Sequence, residues 1–403
     1  MPPTDSALPV NTTCPYCGVG CGVTATPGKA YGVSVSGDNN HPANRGNLCL
    51  KGQTLGETLS LDNRLLYPEI FGERSTWDAA STLIADKFKQ IIDQHGRDAV
   101  AFYVSGQLLT EDYYAVNKFV KGYLGTANID TNSRLCMASS VAGHKRAFGA
   151  DTVPGCYDDL EQADLVILAG SNLAWCHPVL FNRLQAAREA NHKLRVITID
   201  PRRTATADLS DDHLPILPDS DTALFAGLLR WLSMHGYGSA DYIDAATTGL
   251  EEALNAAGPL DLKTVAQHTG LSENDIAAFY AEFADTPRVV TVYSQGINQS
   301  VGGTDKVNAI INCHLYTGRI GKPGSGPFSI TGQPNAMGGR ETGGLANTLT
   351  CHMELGTPSH RELVQSFWQS PNIAERPGLT AVELFNAVYE GRIKALWIMA
   401  TNP

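Results

Sequence analysis

The sequence predicts an α/β protein in which a small loop-and-hairpin unit precedes domains built on parallel sheets. Its 403 residues exceed the usual size of one compact domain, so more than one is expected. Residues from Asn11 to about Arg64 are dense in glycine, proline, asparagine and cysteine, whereas later residues alternate between apolar runs and amphipathic stretches. Such an alternation of strand and helix patterns is typical of parallel sheets covered by helices.

The individual elements follow from local patterns. In the N-terminal unit, short runs predict strands at Gly22–Ala25 and Tyr31–Val35. Next, Ala99–Ser105 has the length and apolar character of a buried strand, and Thr110 is placed to cap a helix over Thr110–Tyr123. Farther on we predict strands at Asp164–Ala169, Leu194–Asp200, Arg288–Tyr293 and Lys394–Ala400, and helices at His177–Asn191, Asp221–His235 (ended by Gly236), Ser272–Ala284 and Asp305–Thr317.

The composition is that of an ordinary globular protein. Hydrophobic residues make up 43% and charged residues 18% of the sequence, which suits a large apolar core. The formal net charge of −11 disfavours nucleic-acid binding, because an acidic chain does not displace counterions from phosphates. The N-terminal residues show no basic region, apolar run or twin arginine, and no stretch looks membrane-spanning. We therefore expect a cytoplasmic protein that binds neither nucleic acid nor membrane.

Five predicted strands run into short loops rich in small and polar residues. Ligands of open α/β sheets bind at the carboxyl ends of strands, where small residues let the backbone approach a phosphate or a ring. The set favours a nucleotide-like ligand, although ordinary loops would leave a similar pattern. The five loops are Ser105-Gly106-Gln107, Gly170-Ser171-Asn172, Asp200-Pro201-Arg202, Ser294-Gln295-Gly296 and Thr401-Asn402-Pro403.

Four of the nine cysteines have the spacing of metal ligands. Cys14, Cys17, Cys21 and Cys49 form the pattern C-x2-C-x3-C-x27-C, and the other cysteines are scattered, unlike a disulfide framework. Structural zinc usually takes two C-x2-C pairs, whereas a cubane cluster accepts three ligands from one loop and one from elsewhere. The pattern favours an iron–sulfur cluster over zinc and over cysteines that bind no metal.

Longer stretches of the sequence resemble one enzyme family. The motifs are TTCPYCGVGCGV and RGNLCLKG, followed by NSRLCMASSVAG, TIDPRRTATAD and TGRIGKPGSGPFSITGQPNAMGGRE. They resemble the molybdopterin oxidoreductases that bind two guanine dinucleotide pterins, and within that family they look most like bacterial assimilatory nitrate reductases. The resemblance covers nearly the whole chain. It implies the molybdopterin oxidoreductase fold, a [4Fe-4S] cluster and a molybdenum bis(molybdopterin guanine dinucleotide) cofactor.

The resemblance also assigns roles to single residues. Cys136 becomes the thiolate ligand of molybdenum, although a lone cysteine is otherwise a small core residue. Met137 follows it as in nitrate reductases, where formate dehydrogenases of the family usually have histidine. Lys51 is placed between the cluster and one pterin, although by itself it would be a surface lysine. The residues implied to contact the pterins are Lys51, Gln107, Asn132, Gly170, Ser171, Asn172, Asp200, Arg202, Asp221, Gln295 and Gln299.

A further set of residues is implied to line the substrate funnel. Arg340 and Asp151 match family residues of that pocket, and Met337 stands where periplasmic nitrate reductases have a cysteine, which favours the assimilatory branch. Alternatives stay open for several assignments: Asp200 as a turn aspartate, Asp221 as a helix N-cap, and Arg340 as a surface or structural residue. The candidate catalytic residues are Cys136, Met137, Asp151, Arg340 and Lys51.

The function implied by the resemblance is the reduction of nitrate to nitrite in nitrate assimilation. Electrons would enter through the cluster from ferredoxin, flavodoxin or an NAD(P)H-linked reductase. A formate dehydrogenase of the same family and a molybdenum-free electron-transfer subunit remain as alternatives.

We expect three domains. Residues 1–64 would hold the cluster, and residues 134–324 would form an α/β domain that binds a pterin dinucleotide. Residues 65–133 would join 325–403 in a discontinuous α/β domain. Since the last predicted strand ends at Ala400, just before Pro403, we also expect the chain to be the N-terminal part of a longer protein.

Overall fold

The chain folds into two compact units of mixed α/β structure. The computed structural model describes residues 8–28 and 32–402. Unit 1 takes its described residues from Met1–Asn40, Leu50–Leu135 and Gln333–Pro403, and unit 2 consists of His41–Cys49 and Cys136–Gly332. Both contain parallel sheets with helices, which confirms the predicted fold class. Among the described residues, no helix combines the length and the apolar character needed to cross a bilayer.

The N-terminal part of unit 1 is a three-stranded antiparallel sheet in the order β1-β2-β3. The cysteine-rich loop 14–21 joins its first two strands. Part of the predicted strand Tyr31–Val35 lies outside the described residues, and the strand that is described continues to Gly37. The three strands are β1 (Val10–Thr13), β2 (Gly22–Pro27) and β3 (Val33–Gly37).

The rest of unit 1 surrounds a parallel sheet in the order β13-β6-β7. Its central strand is buried over its whole length, which explains why the sequence there is a continuous apolar run. The strands are β6 (Val100–Val104), β7 (Ile129–Thr131) and β13 (Ala395–Ile398), with a small hairpin of β4 (Glu69–Ile70) and β5 (Glu73–Arg74). The helices are α1 (Leu50–Gln53), α2 (Trp77–His95), α3 (Thr110–Asn117), α16 (Ala336–Glu341), α17 (Pro358–Trp368) and α18 (Ala381–Tyr389).

The helix predicted over Thr110–Tyr123 is α-helical in its first part and π-helical in its second. Helix α3 ends at Asn117, and a π-helical stretch, Lys118–Leu124, continues the chain. The prediction that Thr110 caps this helix is wrong, because Leu109 occupies the cap position. The Thr110 hydroxyl instead accepts a hydrogen bond from Asn335 Nδ2 at 3.1 Å.

Unit 2 is built on a five-stranded parallel sheet in the order β10-β9-β8-β11-β12. The chain runs from β8 outward to β10, then returns to add β11 and β12 on the other side, so the switch point lies between β8 and β11. The strands are β8 (Leu165–Ala169), β9 (Arg195–Ile199), β10 (Asp212–Leu214), β11 (Val289–Tyr293) and β12 (Gly326–Ser329).

Helices account for most of the remaining residues of unit 2. The predicted long helices and strands of the chain, the interrupted helix aside, agree with the structure to within about two residues at each end. The helices are α4 (Ala138–Phe148), α5 (Tyr157–Gln162), α6 (Leu173–Cys176), α7 (Pro178–Ala190), α8 (Ala205–Asp208), α9 (Asp221–Met234), α10 (Ala240–Ala246), α11 (Leu250–Ala257), α12 (Leu262–Thr269), α13 (Glu273–Asp285), α14 (Gln295–Asn298) and α15 (Gly303–Tyr316).

The boundary between the units differs from the predicted segment boundaries. Unit 2 extends to Gly332, beyond the predicted limit at 324, because β12 pairs in parallel with β11 and completes its sheet. Residues 41–49 also group with unit 2 rather than with the N-terminal segment 1–64. The expectation of three separate domains stays a prediction.

Candidate functional site

Two glycines bring the carboxyl ends of β8 and β11 into backbone contact at the switch point. Gly296 N donates a hydrogen bond to Gly170 O at 3.0 Å. A Cβ on Gly170 would lie 2.7 Å from Gly296 Cα, and one on Gly296 would lie 2.6 Å from Gly170 Cα. The φ of +54° at Gly170 also favours glycine. No side chain therefore fits between the loop after β8 and the loop after β11. These two loops lie at the edge of the sheet where open α/β sheets bind their ligands.

Three buried side-chain oxygens at this edge have no hydrogen-bond partner within the described part of the protein. They are Ser171 Oγ after β8, Gln295 Oε1 after β11 and Thr331 Oγ1 after β12. Burying a polar atom without a hydrogen-bond partner costs about 1–3 kcal/mol. A buried polar atom that has no partner in the protein therefore usually forms its hydrogen bond with another molecule. The pyrophosphate and pterin groups of a molybdopterin dinucleotide carry matching polar groups, so these residues fit that cofactor. Thr331 was not predicted, although it lies in a motif that carries the resemblance.

Cys136 and Gln295, both predicted site residues, lie side by side in unit 2. Gln295 Nε2 donates a hydrogen bond to Cys136 Sγ over 2.8 Å. Cys136 and the following Met137 are buried, with exposed fractions of 6% and 4%. The structure therefore places the predicted metal-binding thiol next to an amide donor, a contact that sequence spacing did not reveal.

A buried asparagine ties the beginning of α4 to the turn after β11. Asn298 Oδ1 accepts a hydrogen bond from Ser140 N at 2.8 Å, and Asn298 Nδ2 donates to Ser294 O at 2.8 Å. Cys136 lies two residues before the first residue of α4, and Gln295 directly follows Ser294. The two hydrogen bonds of Asn298 therefore fix the distance between the thiol and its amide donor.

Two of the predicted pterin contacts have side chains that already bond to protein groups. Asn132 Oδ1 accepts a hydrogen bond from Gly106 N at 2.9 Å, which joins the ends of β7 and β6 in unit 1. Asn172 Oδ1 accepts one from Thr206 Oγ1 at 2.8 Å in unit 2. Asn172 lies at a strand end as predicted, whereas Asn132 follows β7, a strand that was not predicted. The side-chain oxygens of both residues hold neighbouring loops in place.

Asp200 forms a turn, which is the alternative to a pterin contact that the sequence offered for this residue. Its Oδ1 accepts a hydrogen bond from Arg202 N at 2.8 Å, and its carbonyl oxygen pairs with His213 Nε2 at 2.8 Å. The residue directly follows β9, so the turn keeps it at the ligand-binding edge of the sheet. Three other predicted contacts are exposed: Gln107, Arg202 and Gln299.

Asp221 pairs with a buried lysine that sequence analysis missed. Lys306 Nζ lies 2.7 Å from Asp221 Oδ2 and 2.8 Å from Asp219 Oδ1. Burial disfavours the charge of Lys306, but its bonds to the two carboxylates raise its pKa above the ordinary value. Ser220 occupies the cap position of α9, so the N-cap alternative for Asp221 is wrong. No local pattern distinguishes a buried lysine from the far commoner surface lysine.

The loop between β1 and β2 in unit 1 carries three of the four predicted cluster ligands. Cys14 N donates to Cys21 O at 2.8 Å, and Gly20 N donates to Cys17 O at 3.2 Å, with Gly20 at a φ of +66°. Cys14 and Cys21 are buried and Cys17 is half-buried. Among the described residues, no three His, Cys, Asp or Glu side chains could share a single metal ion. A cubane cluster needs a different arrangement, because each thiolate binds its own iron.

The fourth predicted ligand, Cys49, ends the segment 41–49 of unit 2. Arg183 of α7 holds this segment, since its Nη1 donates to Pro42 O and to Ala43 O at 2.9 Å each. The same guanidinium pairs with Asp158 at 2.7 Å and Glu161 at 2.6 Å. Burial disfavours the charge of Arg183, but hydrogen bonds to both carboxylates raise its pKa. Lys51, in α1 of unit 1, is exposed.

Arg340 is a buried cation in α16 of unit 1, with an exposed fraction of 9%. A Cβ on the preceding Gly339 would lie 2.9 Å from Tyr113 Cζ, so α16 packs closely against that ring. Burial raises the pKa of Tyr113 to about 12, while the charge of Arg340 lowers it, and the Tyr113 hydroxyl donates to Ser105 O. In unit 2, Asp151 is half-buried between α4 and α5, and Met337 of unit 1 is 43% exposed.

Two family models match this chain. The model described as "Molybdopterin oxidoreductase" matches residues 64–403, and the model described as "Molybdopterin oxidoreductase Fe4S4 domain" matches residues 9–60. Together they indicate a [4Fe-4S] cluster and a molybdopterin cofactor, as the sequence motifs implied.

Several curated relatives align with almost the whole chain. A protein named nitrate reductase from Klebsiella oxytoca is 57% identical over 392 residues, which are 97% of this chain and 45% of that protein. A nitrate reductase from Shewanella frigidimarina is 52% identical over 98% of this chain and 43% of that protein. The periplasmic nitrate reductase of Desulfovibrio desulfuricans is 36% identical over 98% and 54%. The chain spans about half the length of the curated relatives it matches.

Among solved structures, acetylene hydratase from Pelobacter acetylenicus has a similar fold. The TM-score is 0.67 at 23% sequence identity, and the match covers 76% of this chain and 42% of that protein. This likeness concerns the fold alone.

Proposed function

Because the chain belongs to the molybdopterin oxidoreductase family, we propose that it forms part of the catalytic subunit of a nitrate reductase. The observation that carries the proposal is the identity of 57% and 52% with proteins named nitrate reductase, over nearly all of this chain. The reaction consumes nitrate, two protons and two electrons and releases nitrite and water. When bound, the molybdenum cofactor supplies the two-electron oxygen-atom transfer.

The residues of unit 2 have distinct tasks in this proposal. Cys136 would hold the metal through its thiolate, and Gln295 would orient that thiolate by the hydrogen bond to Sγ. Gly170 lets the loop after β8 contact the loop after β11, and Ser171 and Thr331 offer hydroxyl groups that have no protein partner among the described residues. Met137 follows Cys136 and is buried, so it would shield the metal from water.

Electrons would enter one at a time through the cluster held by Cys14, Cys17, Cys21 and Cys49. Lys51 would lie between that cluster and one pterin, as the resemblance implies. We propose ferredoxin, flavodoxin or an NAD(P)H-linked reductase as the donor. Steady-state assays with each reduced donor identify the physiological one, because it alone sustains turnover without viologen dyes.

Nitrate would be attracted by the guanidinium of Arg340. The net charge of −11 does not oppose this, because charges beyond about 8–10 Å are largely screened in physiological salt. One cation about 4 Å from an anion contributes on the order of 4 kcal/mol at an effective dielectric near 20, before desolvation. A buried cation such as Arg340 therefore outweighs the distant acidic groups.

The proposal is tested by Arg340→Ala in the full-length holoenzyme. Loss of a charged hydrogen bond should raise the KM for nitrate about 10- to 100-fold, with molybdenum and iron contents unchanged. Arg392→Ala, an exposed arginine of unit 1, is the matched control. Formate oxidation in place of nitrate reduction in viologen assays would contradict the substrate, and an unchanged KM would remove Arg340 from the site.

We further propose a cytoplasmic enzyme of nitrate assimilation. This rests on Met337, which stands where the resemblance places a cysteine in periplasmic enzymes. Fractionation of the source cells checks the location: nitrate-reducing activity of this chain in the periplasm would contradict it. Loss of growth on nitrate as sole nitrogen source, after deletion of the gene, checks the role in assimilation.

A further inference from the structure

Lys121 is a lysine with no solvent exposure. It lies in the π-helical stretch Lys118–Leu124 of unit 1, and its exposed fraction is 0%. An ammonium in such surroundings is tolerated only if its protons find hydrogen-bond acceptors. π-helical turns are rare and are frequently found at functional sites.

Four oxygen atoms surround the amino group of Lys121. Nζ donates to Leu345 O at 2.9 Å, to Thr348 O at 2.8 Å and to Asn117 Oδ1 at 3.1 Å, and it also donates to Gly343 O. An ammonium has three N–H donors, whereas the neutral amine has only two. A shell made of acceptors alone therefore favours the charged form and opposes the effect of burial, with one proton shared between two oxygens.

A buried ion pair extends this shell. Asp130 Oδ1 accepts from Ala346 N at 3.4 Å, Arg134 Nε donates to Asp130 Oδ2 at 3.0 Å, and Arg134 donates to Asn347 Oδ1 at 2.8 Å. Burial lowers the pKa of Lys121 to about 7, while the charge of Asp130 raises it and that of Arg134 lowers it. Residues 343–348, here called the 343–348 turn, are thus tied to charged groups at several positions.

The 343–348 turn is joined directly to the helix that carries Arg340. Gly343 N donates to Arg340 O at 3.1 Å, and Gly344 N donates to Gly339 O at 2.6 Å. Gly343 has a φ of +85°, and a Cβ there would lie 2.6 Å from Leu349 C. Position 343 therefore has no room for a side chain. The carbonyl oxygen of Gly343 is held by Lys121, which belongs to a different segment of the chain.

We propose that the Lys121 ammonium is an internal cation that fixes the 343–348 turn and thereby positions Arg340. The inference rests on the proposed function, since Arg340 is the residue proposed to attract nitrate. The C=O of Gly343 accepts from Lys121 Nζ and the N–H of Gly343 donates to Arg340 O, so Gly343 connects the two residues. Lys121 is a positioning residue, because it acts on the substrate only through Arg340.

The first test compares two lysines of the same helix in the full-length holoenzyme. Lys121→Met keeps the length of the side chain but removes every donor, and half-buried Lys118→Met is the matched control. Amide hydrogen exchange in the 343–349 peptide should become about tenfold faster in Lys121→Met, because three buried carbonyls lose their donor. The KM for nitrate should rise roughly three- to tenfold, with kcat within about twofold and metal contents unchanged.

The second test is chemical rescue. Lys121→Ala leaves a cavity beside the carbonyl oxygens of the 343–348 turn, which n-propylammonium matches in length and charge. Added during purification and assay, it should return both the exchange rate and the KM toward wild type. Equal concentrations of sodium chloride or tetramethylammonium chloride should not, because neither supplies N–H donors. Rescue also covers the case in which Lys121→Met fails to fold.

The outcomes separate the two proposals. Unchanged exchange in Lys121→Met, faster exchange spread evenly over unit 1, or no rescue would overturn the role of Lys121 in fixing the turn. Faster local exchange with an unchanged KM, in an enzyme that Arg340→Ala impairs, would overturn the positioning of Arg340. If Arg340→Ala itself has no effect on KM, the substrate assignment fails, and exchange and rescue still decide whether Lys121 fixes the turn.

Discussion

Gln295 donates its amide N–H to Cys136 Sγ across 2.8 Å, while its Oε1 is buried without a partner among the described residues. One side chain therefore faces both the proposed metal-ligating thiol and the space proposed for a pterin. Groups that hydrogen-bond to metal ligands fix their orientation and tune the metal. Gln295 has this relationship to Cys136, in addition to the pterin contact implied by resemblance.

The first prediction concerns this amide donor. Gln295→Leu should lower kcat about 10- to 100-fold, the usual cost of losing a partner of a metal ligand. The Mo(V) electron paramagnetic resonance signal should shift, because sulfur loses its hydrogen bond, while the cluster signal should stay unchanged. Gln94→Leu, at an exposed position of α2, is the control. Wild-type kcat and an unshifted signal in Gln295→Leu would show that the bond has no role.

The second prediction concerns the close approach of two loops. Gly296→Ala should destabilise the protein by about 1–3 kcal/mol, because its Cβ would lie 2.6 Å from Gly170 Cα. Molybdenum content should fall in parallel, since the cofactor edge is displaced. Gly356→Ala meets nothing within 4 Å and should change stability by less than about 0.5 kcal/mol. Equal unfolding midpoints for the two variants would contradict the packing argument.

Much of the fold could be predicted because parallel strands are buried on both faces. Val289–Tyr293 and Leu165–Ala169 are completely buried, so their sequences are apolar except for Thr291, with polar residues at their ends. The order of strands in the sheet was not predictable, because it depends on long-range pairing. For the same reason the sequence did not indicate β12: Gly326–Ser329 contains glycine and proline and has no strand pattern, yet it pairs with β11.

The candidate site was predicted best where several residues of special chemistry crowd together. Cys14, Cys17 and Cys21 stand out by spacing, whereas Thr331 and Lys306 do not, since threonine and lysine are common at exposed positions. Buried lysines become visible only when the folded chain shows which carboxylates or carbonyl oxygens surround them. Gln295 was recognised, but its contact with Cys136 joins residues 159 positions apart in sequence.

The third prediction concerns Arg183, which holds the segment 41–49 that ends at Cys49. Arg183→Met removes the donors to Pro42 O and Ala43 O and leaves Glu161 without its closest cation. Local opening of residues 41–49 should become about 10- to 100-fold more frequent, given the cost of unpaired buried groups. Iron release to a chelator should accelerate accordingly, because Cys49 is a predicted cluster ligand.

The control for Arg183→Met is a second arginine variant in the same helix, Arg188→Met. Arg188 of α7 pairs with Asp211 at 2.7 Å, and within the described residues it makes no bond to the segment 41–49. Arg188→Met should therefore lose some stability but release iron at the wild-type rate. Equal iron release from both arginine variants would show that the segment does not depend on Arg183.

The last prediction concerns acid sensitivity of unit 2. His314 of α15 is completely buried, and its Nε2 lies 2.9 Å from Thr291 Oγ1. Burial lowers its pKa well below the ordinary value, and the charge of Arg319 lowers it further, so His314 is neutral in the folded protein. In the unfolded chain it takes up a proton as pH falls below about 6.5. The unfolded state then binds more protons than the folded state, so acid favours unfolding.

His314→Gln keeps a polar partner for Thr291 but cannot titrate. The variant should be less stable than wild type near pH 7.5, because glutamine packs less well than the ring. Below about pH 6.5 the difference should shrink by up to about 1.4 kcal/mol per pH unit, since only the wild type pays the cost of proton uptake on unfolding. Unfolding midpoints measured from pH 7.5 to 5 check this, with exposed His192→Gln as the control. Parallel curves for wild type and His314→Gln over this range would contradict a neutral buried His314.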